Sequence, residues 1–393
     1  MKKIWLGAIL LLLAIGLLSC TPSEPINGTP AFDFIVEKDP EKDFVLLVLS
    51  DPQVLTEWWS ERETAPETRL LTDTVEDLVD ITAPDLIVIT GDFTACGEEA
   101  AFRGLGHYID SLGIPWTTVW GNHDHTYEQY PDYAMSLEAM ETLFSTEFKN
   151  VLFKAGDPAL GSGNFTIGIR ERGKFVEAIV MMDTHGMQSY SMPDGSQVAV
   201  ESSPNEAQKQ WYRDKIQAMK QIGCHESIVV THQPLTAHKS ALQAAIEDLD
   251  NYYSLLTPES AVWGEGWREE YAESSFGIFM KGCATDDYGH IQPDDGMHAL
   301  FKELGHTKNV ISGHCHENNT SVLYDGIRYT HGLKAGGCAV SYWNYDFGQN
   351  GGTVFEIRSS GVRYVYHEYI PYPKYFPKDR CHGGARAPFD PGA

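Results

Sequence analysis

The chain is short of basic residues. Lysine and arginine number 29 against 55 aspartates and glutamates, for a formal charge of −26 over 393 residues. That balance excludes a protein that grips long nucleic acids by their backbone, which needs a basic face to release counterions. The seven cysteines include no CxxC pair, so a zinc knuckle is excluded. Beyond the first twenty residues, no run is long and apolar enough to span a bilayer. There is no internal repeat, which excludes a solenoid or an array. The arginines Arg103, Arg170, Arg172, Arg213 and Arg268 are scattered and form no cluster to grip a terminal anionic group. What is present is 42% hydrophobic residues, compatible with one large domain or two small ones.

The first residues read as a processing signal. Lys2 and Lys3 are followed by an unbroken apolar run over residues 5–18, too short for a membrane-spanning helix of ~20 residues. The run ends in Leu17, Leu18, Ser19 and Cys20, which resembles the lipobox of bacterial lipoproteins. The resemblance implies removal of residues 1–19 and a diacylglycerol on Cys20. Thr21, rather than Asp, follows the cysteine, so the expected location is the bacterial cell envelope at the outer membrane, on its periplasmic or surface face. An ordinary cysteine beside a conventional cleavage site is the plain alternative. Residues 20–43, rich in Pro, Thr, Ser and Glu, are expected to form a tether. Six further cysteines in an oxidising compartment permit disulfides, with no pairing assigned.

Apolar runs alternate with helical patterns from there on. Runs over residues 44–50, 85–90, 115–120, 175–182, 227–231 and 310–312 fit strands buried on both faces. Between them, amphipathic spacing predicts helices over about 67–83 and 98–112. Ser203 to Glu206 reads as a capping box with Pro204 at the first helical position; the helix turns Trp211, Ile216 and Met219 inward. Residues 327–331, 353–357 and 362–369 look like consecutive strands, in a second or mixed sheet. Residues 126–166 and 235–308 are long enough to be functional insertions over a site. The tail from Pro371 should lie extended on the surface.

The polar residues sit at the ends of the apolar runs, where α/β sheets collect their functional groups. In chain order they are Asp51-Pro-Gln53, Gly91-Asp92, Gly121-Asn-His-Asp124, His232 and Gly313-His-Cys-His316. Taken singly, each is as readily a strand end, a turn or a core histidine. Together, and in this order, they resemble the motifs of the calcineurin-like metallophosphoesterase superfamily, across residues 44–369. Residues 84–92, Ile114-Pro-Trp116 and the late Gly-Gly look most like its purple-acid-phosphatase-28/29-like branch. The resemblance implies an α/β, four-layer αββα sandwich with two mixed sheets, in a domain over residues 44–370.

It also implies a binuclear centre for hydrolysis of a phosphomonoester or phosphodiester. Asp51, Gln53, Asp92 and His316 would hold one metal; Asp92, Asn122, His232 and His314 would hold the other. Two divalent cations ~3.5–4 Å apart clamp a phosphoryl oxygen and activate water, here as a bridging hydroxide that inverts phosphorus without a covalent intermediate. Such cations supply locally the positive field that the acidic chain lacks. His314 and His316 stand at i and i+2, and on an extended segment they would point one to each ion. His123 matches the family's general acid, with Asp124 to orient it.

Two departures bear on the metals. Gln53 stands where the common motif has His, and an amide oxygen shifts preference from Zn toward Mn or Fe. Ala95 stands where purple acid phosphatases place Tyr, so no ferric-tyrosinate colour is expected. His185, after Asp183 and Thr184, is a substrate-contacting or supporting candidate, with plain packing as the equal alternative. His125 and His238 lie near the motifs without a role to transfer. Cys315 reads as core. Trp58, Trp59, Trp263 and Trp267 could stack on a sugar or base, but packing is the default. The expected partner is a small phosphate ester, with membrane contact only through Cys20. The rival is a non-catalytic lipoprotein that binds a ligand or glycan on the same scaffold.

Overall fold

The structure is a computed structural model. It describes residues 30–370 apart from 61–65, 128–129, 158, 192–196, 246–252, 256–277, 281–293, 317 and 337–349. Cys20, Trp263, Trp267 and the tail from Pro371 therefore lie outside the described residues. Along the chain run β1 (Phe34–Glu37), β2 (Phe44–Leu49), α1 (Thr56–Ser60), α2 (Pro66–Thr82), β3 (Leu86–Ile89), α3 (Glu99–Ser111) and β4 (Trp116–Thr118). Then come α4 (Leu137–Thr146), β5 (Phe165–Glu171), β6 (Lys174–Met181), β7 (Met187–Ser191), β8 (Gln197–Glu201), α5 (Glu206–Gln221) and β9 (Ser227–Thr231). The rest are α6 (Thr236–Ala245), β10 (Tyr253–Leu255), β11 (Ile278–Met280), α7 (Met297–Leu304), β12 (Thr307–Ser312), β13 (Ser321–Tyr324), β14 (Ile327–His331), β15 (Gly351–Arg358) and β16 (Gly361–Tyr369).

Two mixed sheets carry the fold. One has the order β16-β15-β2-β3-β4, the other β1-β5-β6-β9-β12-β14-β13. The first is parallel from β2 to β4 and antiparallel at β15 and β16. In the second, β6, β9, β12 and β14 are parallel. Alternation along β6 shows the layering. Ile179 and Met181 join the core that contains β2, β3, α2 and α3, while Ala178, Val180 and Met182 join the core that contains α5, α6 and α7. The arrangement is helix, sheet, sheet, helix. Strands covered on both faces need apolar side chains on both, which is why Leu46 to Leu49 and Leu86 to Ile89 are all buried.

Three expectations are corrected. The tether expected to reach residue 43 meets packed chain earlier: β1 pairs in parallel with β5, and Ala31 and Phe32 are buried. Asp33 is held there by Lys154 and Lys215. Residues 126–166 do not simply cover the site. Their α4 and the following loop bring Phe144, Phe148 and Phe153 against Trp116 and Trp120, so this segment completes the core beside β4. The capping box of α5 lies two residues later than expected. Asn205 accepts from Gln208 N (2.9 Å), and the Gln208 side chain accepts from Asn205 N (2.8 Å). Trp211 packs half-buried against the second core as expected, and Tyr212 beside it is fully buried. Of the 235–308 segment, α6 and α7 pack on the second sheet, and residues 246–293 are mostly outside the described set.

Buried titratable groups set the pH range of the fold. Burial, then the charge of Glu226, pushes the Glu177 carboxyl up to about 8. Glu177 thus favours folding fully below 4.5, and that contribution is lost as pH rises to about 8. Burial pulls His238, His306 and His367 the other way, each down to about 4. Their contribution is present above 6.5 and is lost as pH falls toward 4. Asp124, pushed up to about 7, acts in the same sense as Glu177; the three histidines outweigh these two carboxyls below 6.5, so the melting temperature should peak near that pH. Glu177→Gln should flatten the decline between pH 6.5 and 8, a slope of up to ~1.4 kcal/mol per pH unit. Thermal melts from pH 4 to 9 check this; an unaltered alkaline slope in the variant would show that Glu177 plays no such part.

Candidate metal centre

The polar residues of the strand ends meet on one edge of the sandwich. Asp51 follows β2, Asp92 follows β3 and Asn122 follows β4, all from the first sheet. His232 follows β9, and His314 and His316 follow β12, from the second. The turns that bring them together are tight. Asp51, Asp92 and His314 have left-handed backbones, with φ of 52°, 48° and 68°, a region that Asp, Asn and His tolerate better than most residues. The glycines of the motifs are required by close approach. A Cβ on Gly121 would lie 2.1 Å from Asp92 Oδ1, and one on Gly91 (φ 92°) would lie 2.7 Å from His232 Nδ1.

Ligand atoms of Asp51, Asp92 and His232 lie within 4.8 Å of one another. His316 Nε2 is 3.3 Å from Asp51 Oδ1. Asn122 Oδ1 is 2.9 Å from His232 Nε2 and 2.8 Å from His314 Nδ1. Asp92 lies between the two groups: Oδ1 is 3.3 Å from His232 Nε2 and accepts the His123 backbone N–H at 2.9 Å. His314 and His316 do reach one group each, but not from an extended segment. Cys315 N donates to the Gly313 carbonyl at 2.8 Å, so a turn divides them, and Cys315 is buried.

The electrostatics say what this cluster is suited to hold. Burial would raise the Asp51 carboxyl, but His316, His232 and Lys334 hold it below the usual range. Asp92 is likewise held low against its burial, by His232 and His123. Burial lowers His232 in spite of both carboxylates. Its Nδ1 faces the Thr90 carbonyl at 2.8 Å, and a carbonyl only accepts, so Nδ1 carries the hydrogen. In the neutral imidazole the Nε2 lone pair points at Asp92 Oδ1 and Asn122 Oδ1. Three electron-rich atoms this close repel one another unless a cation lies among them. Imidazole, carboxylate and amide oxygen together suit a divalent transition metal.

Gln53 is the exception among the expected ligands. Its Oε1 accepts from Lys334 Nζ at 2.8 Å, and its Nε2 donates to Asp92 Oδ2 at 2.9 Å. His123 also differs from expectation. Its Nδ1 is 2.8 Å from the Ala95 carbonyl, so that carbonyl orients the ring in place of Asp124. The Asp124 carboxylate instead accepts from the backbone N–H groups of Phe93, Thr94 and Gly121. It thereby ties the turn after Asp92 to the turn before Asn122. Burial and the Asp92 charge push Asp124 up to about 7.

A family model of the calcineurin-like phosphoesterases matches residues 44–318. The chain belongs to the calcineurin-like phosphoesterase family. This phosphoesterase is similar to a solved dimetal phosphatase of Danio rerio, at 12% identity over 84% of this chain and 100% of that one, with a TM-score of 0.48. It is also similar to the TT1561 protein of Thermus thermophilus (10% identity, 83% and 99% coverage, TM-score 0.38). NAD nucleotidase of Haemophilus influenzae matches at 10% identity over 83% of this chain and 55% of that one, with a TM-score of 0.38. No curated protein shows significant similarity to it.

Other residues of this phosphoesterase fall outside the cluster. His185, with φ 61°, is held by Asp183 (Nδ1 to Oδ2, 3.3 Å) and by Gln208 (Nε2 to Oε1, 2.9 Å). His125 pairs with the other oxygen of Asp183 at 3.3 Å. His238 is buried against Leu235 O and Ser312 Oγ. Trp59 packs edge-on to Tyr108. Cys96, Cys224 and Cys315 are free thiols. Sequence reasoning passed over Lys334, buried beneath Asp51 and Gln53. The signal was a lone charge in an apolar, glycine-bracketed stretch, Gly332-Leu-Lys-Ala-Gly336.

Proposed function

We propose that this phosphoesterase is a binuclear enzyme of the bacterial cell envelope that hydrolyses a phosphomonoester or phosphodiester. The observation that carries the reading is the meeting of Asp51, Asp92 and His232 ligand atoms within 4.8 Å, with Asn122 Oδ1 beside His232 Nε2. Asp51 and His316 would hold one metal, Asn122, His232 and His314 the other, and Asp92 would reach both. Manganese or iron suits these donors, with zinc a further choice. When bound, such cations polarise the phosphoryl oxygens and make water acidic enough to attack near neutral pH.

The chain's own groups supply the rest. With its Nδ1 hydrogen committed to the Ala95 carbonyl, His123 would keep Nε2 for the substrate. A proton on that nitrogen passes to the leaving-group oxygen as the ester bond breaks. Asp124 fixes the turns that place Asp92 and Asn122. A diacylglycerol at Cys20 would keep the enzyme at the membrane surface, where it would meet small esters rather than long nucleic acids.

Metal analysis decides the reading, made on the chain from Thr21 onward with Mn²⁺ in excess. It is paired with hydrolysis of bis-p-nitrophenyl phosphate and p-nitrophenyl phosphate. About two metals per chain and metal-dependent turnover are expected, with the preferred ester separating diesterase from monoesterase. A folded protein with neither metal nor turnover would instead be a binding module.

A further inference from the structure

A lysine ammonium has donors only, so the Gln53 atom that faces Lys334 Nζ at 2.8 Å is its oxygen. The amide NH2 must then face Asp92, as it does at 2.9 Å. Lys334 is itself fixed: it is 1% exposed, and Nζ also donates to the Asp51 carbonyl at 2.8 Å. Its loop is laid tightly on the loop that carries Gln53. Ala335 N donates to Ser50 O at 2.8 Å, and a Cβ on Gly336 would lie 2.1 Å from Pro52 O. Gln53, at φ 47°, is pinned in backbone and side chain alike.

We propose that Lys334 and Gln53 form a positioning pair that occupies the place of a metal ligand. Lys334 keeps the amide oxygen of Gln53 from the Asp51–His316 pair, and the amide NH2 steadies the carboxylate of Asp92. The metal position at Asp51 and His316 therefore lacks one donor and has a buried cation beside it. It binds metal more weakly than the position at Asn122, His232 and His314. The two positions fill in sequence, and the first fills only when metal is plentiful. This inference rests on the two-metal reading above.

Calorimetric titration of the chelator-treated chain with Mn²⁺ tests it. The unaltered protein should show two steps whose dissociation constants differ by at least ~10-fold. Lys334→Met removes the neighbouring charge and releases the amide oxygen, so the weaker step should tighten by ~10-fold while the tighter step holds. Gln53→Ala acts through Asp92, which both positions share, and should weaken both steps, each by ~10-fold or more. Two equal steps in the unaltered protein would overturn the pair's role, as would a Lys334→Met variant that is folded by circular dichroism and has an unchanged or weaker second step. A Gln53→Ala variant that loses only the weaker step would make Gln53 a direct ligand, and this arm holds even if Lys334→Met does not fold. No Mn²⁺ binding at all in the unaltered protein would sink the two-metal reading itself.

Discussion

Asp92→Asn should lower turnover by ~10³-fold or more and empty both metal positions. The Asp92 carboxylate is the group that touches both halves of the site: Oδ1 lies against His232 and takes the His123 backbone N–H, and Oδ2 takes the Gln53 amide. The substitution removes a charge that both positions share. It also sets an amide NH2 either against that of Gln53 or against the His123 N–H, so a buried donor is left unsatisfied. Steady-state kinetics with Mn²⁺ and metal analysis of the variant check this. A variant that keeps two metals and nearly full turnover would remove Asp92 from the centre of the mechanism.

His123→Ala should leave metal content unchanged and cut turnover selectively. With an alkyl phosphate ester, whose leaving alkoxide needs a proton, the loss should be ~10²–10⁴-fold. With a p-nitrophenyl ester, whose leaving group departs readily as an anion, it should be less than ~10-fold. The contrast between substrates separates proton donation from placement. Because the His123 backbone N–H holds Asp92, and alanine keeps that N–H, the metal ligands should stay in place. An equal drop on both esters would mean that His123 shapes the site without giving a proton.

The strand ends were legible because they combine two patterns that rarely coincide: an apolar run with no alternation, and a polar, metal-capable residue at its last step. That pairing located Asp51, Asp92, Asn122, His232, His314 and His316, and the structure brings them together. The periodicity of α2 and α3 was equally readable, since Leu71, Val75 and Leu78 recur on one buried face. Hydrogen-bond direction was not legible. Nothing in the residues 51–53 reveals that a lysine some 280 positions later would claim the Gln53 oxygen, or that the Ala95 carbonyl would take the place given to Asp124. Strand β1 was hidden by its flanks, because residues 38–43 are charged and turn-forming and outweigh four strand residues. Residues 126–166 read as an insertion over the site because the segment is long; its phenylalanines instead fill the space beside the short strand β4.

The candidate donors come in equal parts from two sheets that, among the described residues, form separate ladders. A cation seated among them would therefore be a clasp as well as a reagent. It would hold Asp51, Asp92 and Asn122 of one half to His232, His314 and His316 of the other, at the edge where substrate would arrive. Reactivity and cohesion would then be vested in the same few contacts.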